Sequence, residues 1–301
     1  MVKKKKLQGT GLPKIVGHGL WAAARLNVLR WDRALRNLRE SQENQLLDFI
    51  RHAQHTHFGR AHNFDKLRSY DDFKVCVSLG DYDTFSPAID RMRAGERNLL
   101  VPEWVSYFCN SSGTSTQGKA KFLPVTQRQI AFQRQSATDS LFRFVVRRGI
   151  RDFSQGYSLG LFPPTTMRKE GRVWITCNPA LMIATMPGVA RSLYLPDDDI
   201  MRMSDYDQKL EMIAERYLDH DVRMITGTTC WFSLLFDRLL EAARRRGRKA
   251  STVTELWPNL QVLVGGGVSA EPYVEVLKER LGRDDLPLVD TYNATEGGVF
   301  A

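Results

Sequence analysis

From Tyr157 onward, short apolar runs alternate with stretches whose apolar residues recur at helical spacing, and this alternation constrains the fold more than any other feature of the chain. Tyr157–Phe162, Val173–Thr176, Met224–Thr226, Leu260–Val264 and Leu288–Tyr292 read as strands. Asp205–Leu218, Phe232–Ala243 and Pro272–Leu281 read as helices, and Leu210, Ile213, Ala214 and Tyr217 fall on one face of the first. Strands alternating with helices predict an α/β layered fold. Ahead of this region, Trp31, Leu35 and Leu38, then Leu46, Phe49, Ile50 and Ala53, predict helices from about Ala22 to Gln54. Val105–Cys109 and Phe122–Val125 are short β-type runs, and Thr126 can cap a long helix reaching toward Arg147.

The segment richest in chemistry lies between those two short strands: Asn110-Ser-Ser-Gly-Thr-Ser-Thr-Gln-Gly-Lys-Ala-Lys121. Glycines let backbone N–H groups approach a ligand, hydroxyls add donors and the lysines add positive charge. By composition this is a loop that cradles phosphates. Gly113 to Lys119 satisfies G-x-x-x-x-G-K, but Ala120 stands where a P-loop needs Ser or Thr for Mg²⁺. A P-loop also opens a helix, whereas Lys121-Phe-Leu-Pro-Val reads as a strand. The expected geometry is therefore a strand–loop–strand hairpin, and the bland alternative is a Ser/Gly surface turn.

Two further segments follow strands. In Asp290-Thr-Tyr-Asn-Ala-Thr-Glu-Gly-Gly298, Tyr292 can stack on a base, Thr295 can bond a phosphate oxygen and Glu296 can ligate Mg²⁺; a capped turn is the alternative. In Val262-Leu-Val-Gly-Gly-Gly-Val-Ser269, Gly265, Gly266 and Gly267 would let a flat ring lie against backbone, or would simply end the strand.

In order and spacing the three segments resemble the adenylate-forming superfamily, and within it the GH3 (acyl acid–amido synthetase) family. Thr56-His-Phe-Gly-Arg-Ala-His-Asn-Phe64 is similar to that family's Gly-Arg-x-x-x-Phe segment. Asp81-Tyr-Asp, Pro87 to Glu96 and Leu99-Leu-Val-Pro102 resemble its approach to the phosphate loop, and Lys121-Phe-Leu-Pro-Val-Thr126 the exit. The likeness covers most of Thr56 to Phe300. Two departures stand in the loop: Thr116 is one extra residue and Ala120 replaces a frequent proline, with Lys121 in the family's lysine position.

The resemblance implies the large N-terminal domain of adenylate-forming enzymes over residues 1–301, mixed sheets flanked by helices. It also implies that the ribose-binding aspartate, hinge and small C-terminal domain of the family are missing past Glu296. The implied reaction joins a carboxylic acid to an amine through an acyl-adenylate, with ATP and Mg²⁺ consumed or bound and an amino acid as acceptor. ATP would meet Ser111, Ser112, Gly113, Thr114, Ser115, Gly118, Lys121, Gly265, Gly266, Gly267, Tyr292, Thr295 and Glu296. Lys121 and Glu296 would assist catalysis, Glu296 would hold Mg²⁺, and Thr226-Gly-Thr-Thr-Cys-Trp-Phe232 would line the acyl pocket or simply cap a core helix.

Composition bounds the alternatives. The formal charge is +9, with basic runs at Lys3–Lys6, Arg147–Arg151 and Arg244–Lys249. No aromatic interleaving accompanies them, so they read as solvated helix ends and nucleic acid is not expected as a partner. Cys76, Cys109, Cys177 and Cys230 form no CxxC pair, which suits a reducing cytoplasm, and no signal peptide or membrane span is read. His52, His55, His57 and His62 cluster, but they fall on a helix end and loop and read as that rather than as a metal site, and Asp197–Asp199 read as a helix start or turn cluster. The rival functions are an acyl-CoA ligase, which a thiol-acceptor assay separates, and a nucleotide-binding remnant without catalysis. A basic nucleic-acid-binding protein would instead show a salt-dependent gel shift indifferent to ATP.

Overall fold

The computed structural model describes residues 11–110, 121–297 and 299–300. Ten strands occur among them: β1 (Tyr107–Asn110), β2 (Phe122–Val125), β3 (Tyr157–Leu161), β4 (Met167–Glu170), β5 (Val173–Thr176), β6 (Tyr194–Leu195), β7 (Val222–Thr228), β8 (Val262–Gly266), β9 (Leu288–Asn293) and β10 (Val299–Phe300). The chain separates into two compact units, one of 1–26, 133–166 and 182–301, the other of 27–132 and 167–181.

The unit built around 27–132 holds a four-stranded sheet in the order β2-β1-β5-β4. β1 and β2 are antiparallel, with Asn110 opposite Phe122, so residues 111–121 join the two ends of a hairpin. β5 lies parallel to β1, and β4 antiparallel to β5. Ile89, Met92, Leu99, Val105, Phe108, Val173 and Ile175 form its core. A satellite core gathers Ile50, Phe64 and Leu67. Beside it, Thr56 caps the helix His57–Ala61 by accepting the Gly59 N–H at 2.9 Å. Gly59 is required there: a Cβ would come within 2.1 Å of the Ala53 carbonyl oxygen.

The other unit carries a six-stranded sheet in the order β10-β9-β8-β7-β3-β6. All neighbours are parallel except β10 and β9. Leu159, Ile225 and Leu263 lie side by side in register, and all three are buried in the core shared with helices Tyr206–Tyr217 and Cys230–Arg245. The apolar side of Cys230–Arg245 supplies Phe232, Leu235, Phe236 and Leu239, each fully buried. At about 1.5–3 kcal/mol for each large apolar side chain, this one helix face is a main source of the unit's stability. Leu210, Ile213, Ala214 and Tyr217 are buried on the facing helix, as their spacing predicts.

Several boundaries differ from the sequence reading. The helices expected from about Ala22 to Gln54 are present, Lys14–Arg36 and Leu38–Ala53, but the first begins eight residues earlier. The break falls at Asn37, whose φ of −120° and ψ of 48° leave the helical region. β7 and β8 extend past the predicted ends to Thr228 and Gly266. β4 and β6 were not expected: β4 (Met-Arg-Lys-Glu) has no apolar alternation, and β6 has only two residues.

Candidate functional site

In the smaller-sheet unit, the phosphate-loop candidates Ser111, Ser112, Gly113, Thr114, Ser115 and Gly118 lie outside the described residues, as does Ala120. Their flanks are a strand on either side. That is the hairpin expected from Lys121-Phe-Leu-Pro-Val, and it differs from the strand-to-helix turn of a P-loop. Lys121 stands directly before β2, half-buried, with Nζ 5.3 Å from the centre of the Tyr82 ring.

Tyr82 also fixes the strand itself. The Phe122 N–H donates to its hydroxyl at 3.0 Å, and the hydroxyl donates to the Phe122 carbonyl at 3.4 Å. It opens the helix Tyr82–Arg93, whose start is closed by a capping box between Asp81 and Thr84. Arg93, near the other end, lies 3.8 Å over the Phe122 ring and pairs with Glu170 of β4 at 2.7 Å. The Asp81–Glu96 stretch thus anchors the exit of the loop. The Asp81-Tyr-Asp and Pro87–Glu96 segments contain Tyr82 and Arg93, but the sequence assigns neither residue an individual role. Thr126 caps the following helix as expected, accepting the Gln129 N–H at 3.0 Å. Of the histidines, His52 is 3.0 Å from Glu103 and His62 Nδ1 is 2.9 Å from the Phe58 carbonyl.

In the larger-sheet unit, the remaining candidates gather at the carboxyl ends of parallel strands, where open α/β sheets bind ligands. Gly265 and Gly266 end β8 opposite Gly227 and Thr228 of β7, and opposite Asp290 and Thr291 of β9. The glycines are demanded by their neighbours. A Cβ on Gly265 would meet Thr229 Oγ1 at 2.2 Å, and one on Gly266 would meet Thr291 Oγ1 at 2.8 Å. Thr291 Oγ1 donates to the Gly265 carbonyl at 2.7 Å, and the Thr229 N–H donates to the Gly266 carbonyl at 3.3 Å. Gly267 turns the chain away at a φ of +79°. Two threonines therefore lock the glycine-bearing end of β8 between its neighbours.

Tyr292 and Glu296 are exposed, Thr295 half-buried. The Thr295–Glu296 turn is held from beneath by Gln133, which is 2% exposed and donates to the Thr295 carbonyl at 3.0 Å. Gln133 Oε1 is buried and has no partner among the described residues. Glu296 forms no ion pair among the described residues, so its carboxylate is open to a cation, and the oxygen donor suits Mg²⁺.

Small residues also meet where β3, β6 and β7 run side by side. Gly160 pairs with Thr226, and the Tyr194 ring covers Gly160: a Cβ there would be 2.6 Å from Tyr194 Cε1 and 2.8 Å from Phe162. The Tyr194 hydroxyl is 2.5 Å from Thr226 Oγ1. Burial pushes that hydroxyl up to about 12 in spite of the Thr226 bond, so it stays neutral. The helix that Thr229 precedes receives no side-chain cap from it; Thr229 Oγ1 is instead buried without a partner among the described residues. The Asp197–Asp199 cluster starts a short helix as read, and Arg216 and Arg191 neutralise it. A cleft of about 480 Å³ opens near Tyr157 and His220, at the amino ends of β3 and β7. Its Arg191 is already committed to Asp198 and to two backbone carbonyls.

Known proteins share this architecture. A solved GH3.15 acyl acid amido synthetase superimposes with a TM-score of 0.66 at 18% identity, over 86% of this chain and 53% of that one. Its complex with 2,4-DB gives 0.72 at 16% identity, over 90% and 55%. A 2-hydroxyisobutyryl-CoA ligase, in an open conformation with 2-HIB-AMP and CoA, gives 0.53 at 13% identity, over 86% and 54%. The chain thus spans about half the length of these structures. In sequence it is 30% identical over 96 residues to a probable indole-3-acetic acid-amido synthetase GH3.1 of Arabidopsis thaliana, which is 32% of this chain and 16% of that protein. No helix among the described residues is long and apolar enough to cross a membrane. Residues 29–226 match the model of the GH3 family N-terminal domain; with most of the chain inside that match and the fold shared, the chain belongs to the GH3 family.

Proposed function

We propose that the protein is an ATP-dependent ligase that activates a carboxylic acid as an acyl-adenylate and passes it to an amine, an amino acid by family. The observation that carries this reading is the carboxyl-end cluster of the six-stranded sheet. There the glycine-bearing end of β8, an exposed tyrosine and a carboxylate without an ion pair among the described residues lie on successive elements. The acid's carboxylate oxygen attacks the α-phosphorus of ATP and pyrophosphate leaves; the amine then attacks the acyl carbon and AMP leaves with the C–O bond electrons. The first step needs alignment and charge neutralisation more than covalent help.

In this reading Gly265–Gly267 give the adenine ring a surface without side chains, and Tyr292 stacks on it. Backbone N–H groups of Ser111, Ser112, Gly113, Thr114, Ser115 and Gly118, with Lys121, take the phosphates. Tyr82 restrains Lys121 from the side, and Gln133 sets the height of Thr295 and Glu296. Mg²⁺ at Glu296 would supply further positive charge to the leaving pyrophosphate. The Tyr194–Thr226 pair walls the acid's side of the sheet with a neutral hydroxyl.

ATP–pyrophosphate exchange over aryl, indole and aliphatic acids, followed by amide formation with amino acids, tests the reading. It is run on the 301-residue chain and on any longer form of it. Exchange with an acid and transfer to an amino acid is the expected outcome. Transfer to a thiol in place of an amine would overturn it in favour of the acyl-CoA ligase, to which the shared fold also extends.

A further inference from the structure

We propose that the first helix, Lys14–Arg36, is a peripheral docking surface for an anionic lipid membrane. The inference is independent of the ligase reading.

The part of the helix up to Leu26 is held to the larger-sheet unit by one side. Gly11 and Leu12, just ahead of it, donate backbone hydrogen bonds to Gln155 and Ser154 at 3.0 and 2.8 Å. Gly17 and Ala24 are buried, and the Arg151 guanidinium lies 5.9 Å from the Trp21 ring. The opposite side faces solvent and is apolar. Ile15, Leu26 and Leu29 are 80%, 64% and 64% exposed. Gly19 and Ala22, which fall between them at helical spacing, are exposed too. A helix of a globular protein ordinarily turns such a stripe inward.

Charge identifies the occupant. Lys14, His18 and Arg25 flank the stripe on one side and Arg30 on the other, all exposed, and the continuation adds Arg33 and Arg36. Neither Arg25 nor Arg30 is in an ion pair among the described residues. The helix has one acid, Asp32, and four lysines precede it in the sequence at Lys3–Lys6. A second copy of the helix would set Arg25 and Arg30 against their own like, which costs rather than gains. An anionic bilayer meets both demands at once. The apolar stripe enters the acyl boundary while the flanking cations stay at the headgroups.

Co-sedimentation of the whole chain with phosphatidylcholine–phosphatidylserine vesicles, against pure phosphatidylcholine, tests this at low ionic strength. The chain should sediment with the anionic vesicles only. Arg25→Glu with Arg30→Glu should lower partitioning by at least about fivefold per replaced cation. Leu26→Ser with Leu29→Ser should lower it by about tenfold or more. Exposed Lys249→Glu, an equal change of net charge elsewhere per residue, should leave it nearly unchanged. Circular dichroism confirms that each variant keeps its helices. Absence of binding to the anionic vesicles overturns the proposal. So does binding indifferent to Leu26 and Leu29, which would mark it as general electrostatics. Dimerisation of the chain that the leucine variant abolishes, without vesicle binding, overturns it in favour of a second copy.

Discussion

The side-chain amide of Gln133 donates to the carbonyl of Thr295 at 3.0 Å, joining residues 162 positions apart in sequence. With Gln133 2% exposed, this is an interior support placed directly under the turn that carries Glu296. Gln133→Leu should keep the fold, because it also removes a buried oxygen that has no partner among the described residues. The turn, however, loses its tether. Binding of Mg-ATP should weaken by several-fold, equivalent to about 1 kcal/mol, with a melting temperature little changed. Isothermal titration together with thermal denaturation checks both halves.

If the proposed site is right, Glu296→Gln and Lys121→Ala should each weaken Mg-ATP more than AMP, because the proposal gives the groups they remove to phosphates that AMP lacks. Charge-assisted contacts are worth about 1.5–3 kcal/mol, so a change of about tenfold or more in the ATP-to-AMP affinity ratio is expected. Titration with both nucleotides reads that ratio. An unchanged ratio in both variants removes these residues from the site.

The legible parts of the fold are those whose signal is local. Phe122–Val125 and Val173–Thr176 come out with their read boundaries because β-branched and aromatic residues sit between clear stops. The buried side of Tyr206–Tyr217 is legible because one period of spacing puts four apolar residues on it. Asn37 ends the first helix with neither proline nor glycine, and β4 is polar and held by its backbone ladder to β5, so neither left a mark in the sequence. The candidate site divides in the same way. Glycines and a lone carboxylate after strands stand out in the sequence. Tyr82, Gln133 and Tyr194 act by reaching residues far along the chain, and no local pattern announces that.

Two tyrosines, Tyr217 buried and Tyr194 half-buried, make a pH prediction. Burial is the main force raising Tyr194 and Tyr217 to about 12, from an ordinary value near 10. A raised tyrosine keeps its proton longer in the folded state than in the unfolded one. Its contribution is therefore complete below pH of about 10 and is lost as pH rises toward 12. Stability should fall through that window, and Tyr194→Phe should make the fall shallower. Urea denaturation at stepped alkaline pH measures it. A slope identical in the variant would mean that Tyr194 ionises as freely folded as unfolded.

Gly265 and Thr229 make the most exacting test of how the end of β8 is built. A methyl on Gly265 would sit 2.2 Å from Thr229 Oγ1, a buried hydroxyl with no partner among the described residues. Gly265→Ala alone should therefore destabilise by about 1–3 kcal/mol through overpacking. Thr229→Ala alone deletes a polar atom that already lacks a hydrogen bond, so its polar cost is small and only the lost methyl contact remains. Together the two should cost less than their sum, since the new methyl occupies the space that the hydroxyl leaves. A coupling of about 1 kcal/mol or more in a double-mutant cycle from urea denaturation is the expected result. Strict additivity would mean that Gly265 is glycine for a reason other than Thr229, and would make exclusion of the methyl by a bound ring the first alternative. The same four proteins titrated with AMP separate the two causes. If Thr229 alone demands the glycine, the double variant should recover nucleotide binding along with stability. If the ring demands it, stability should return while AMP binding stays lost.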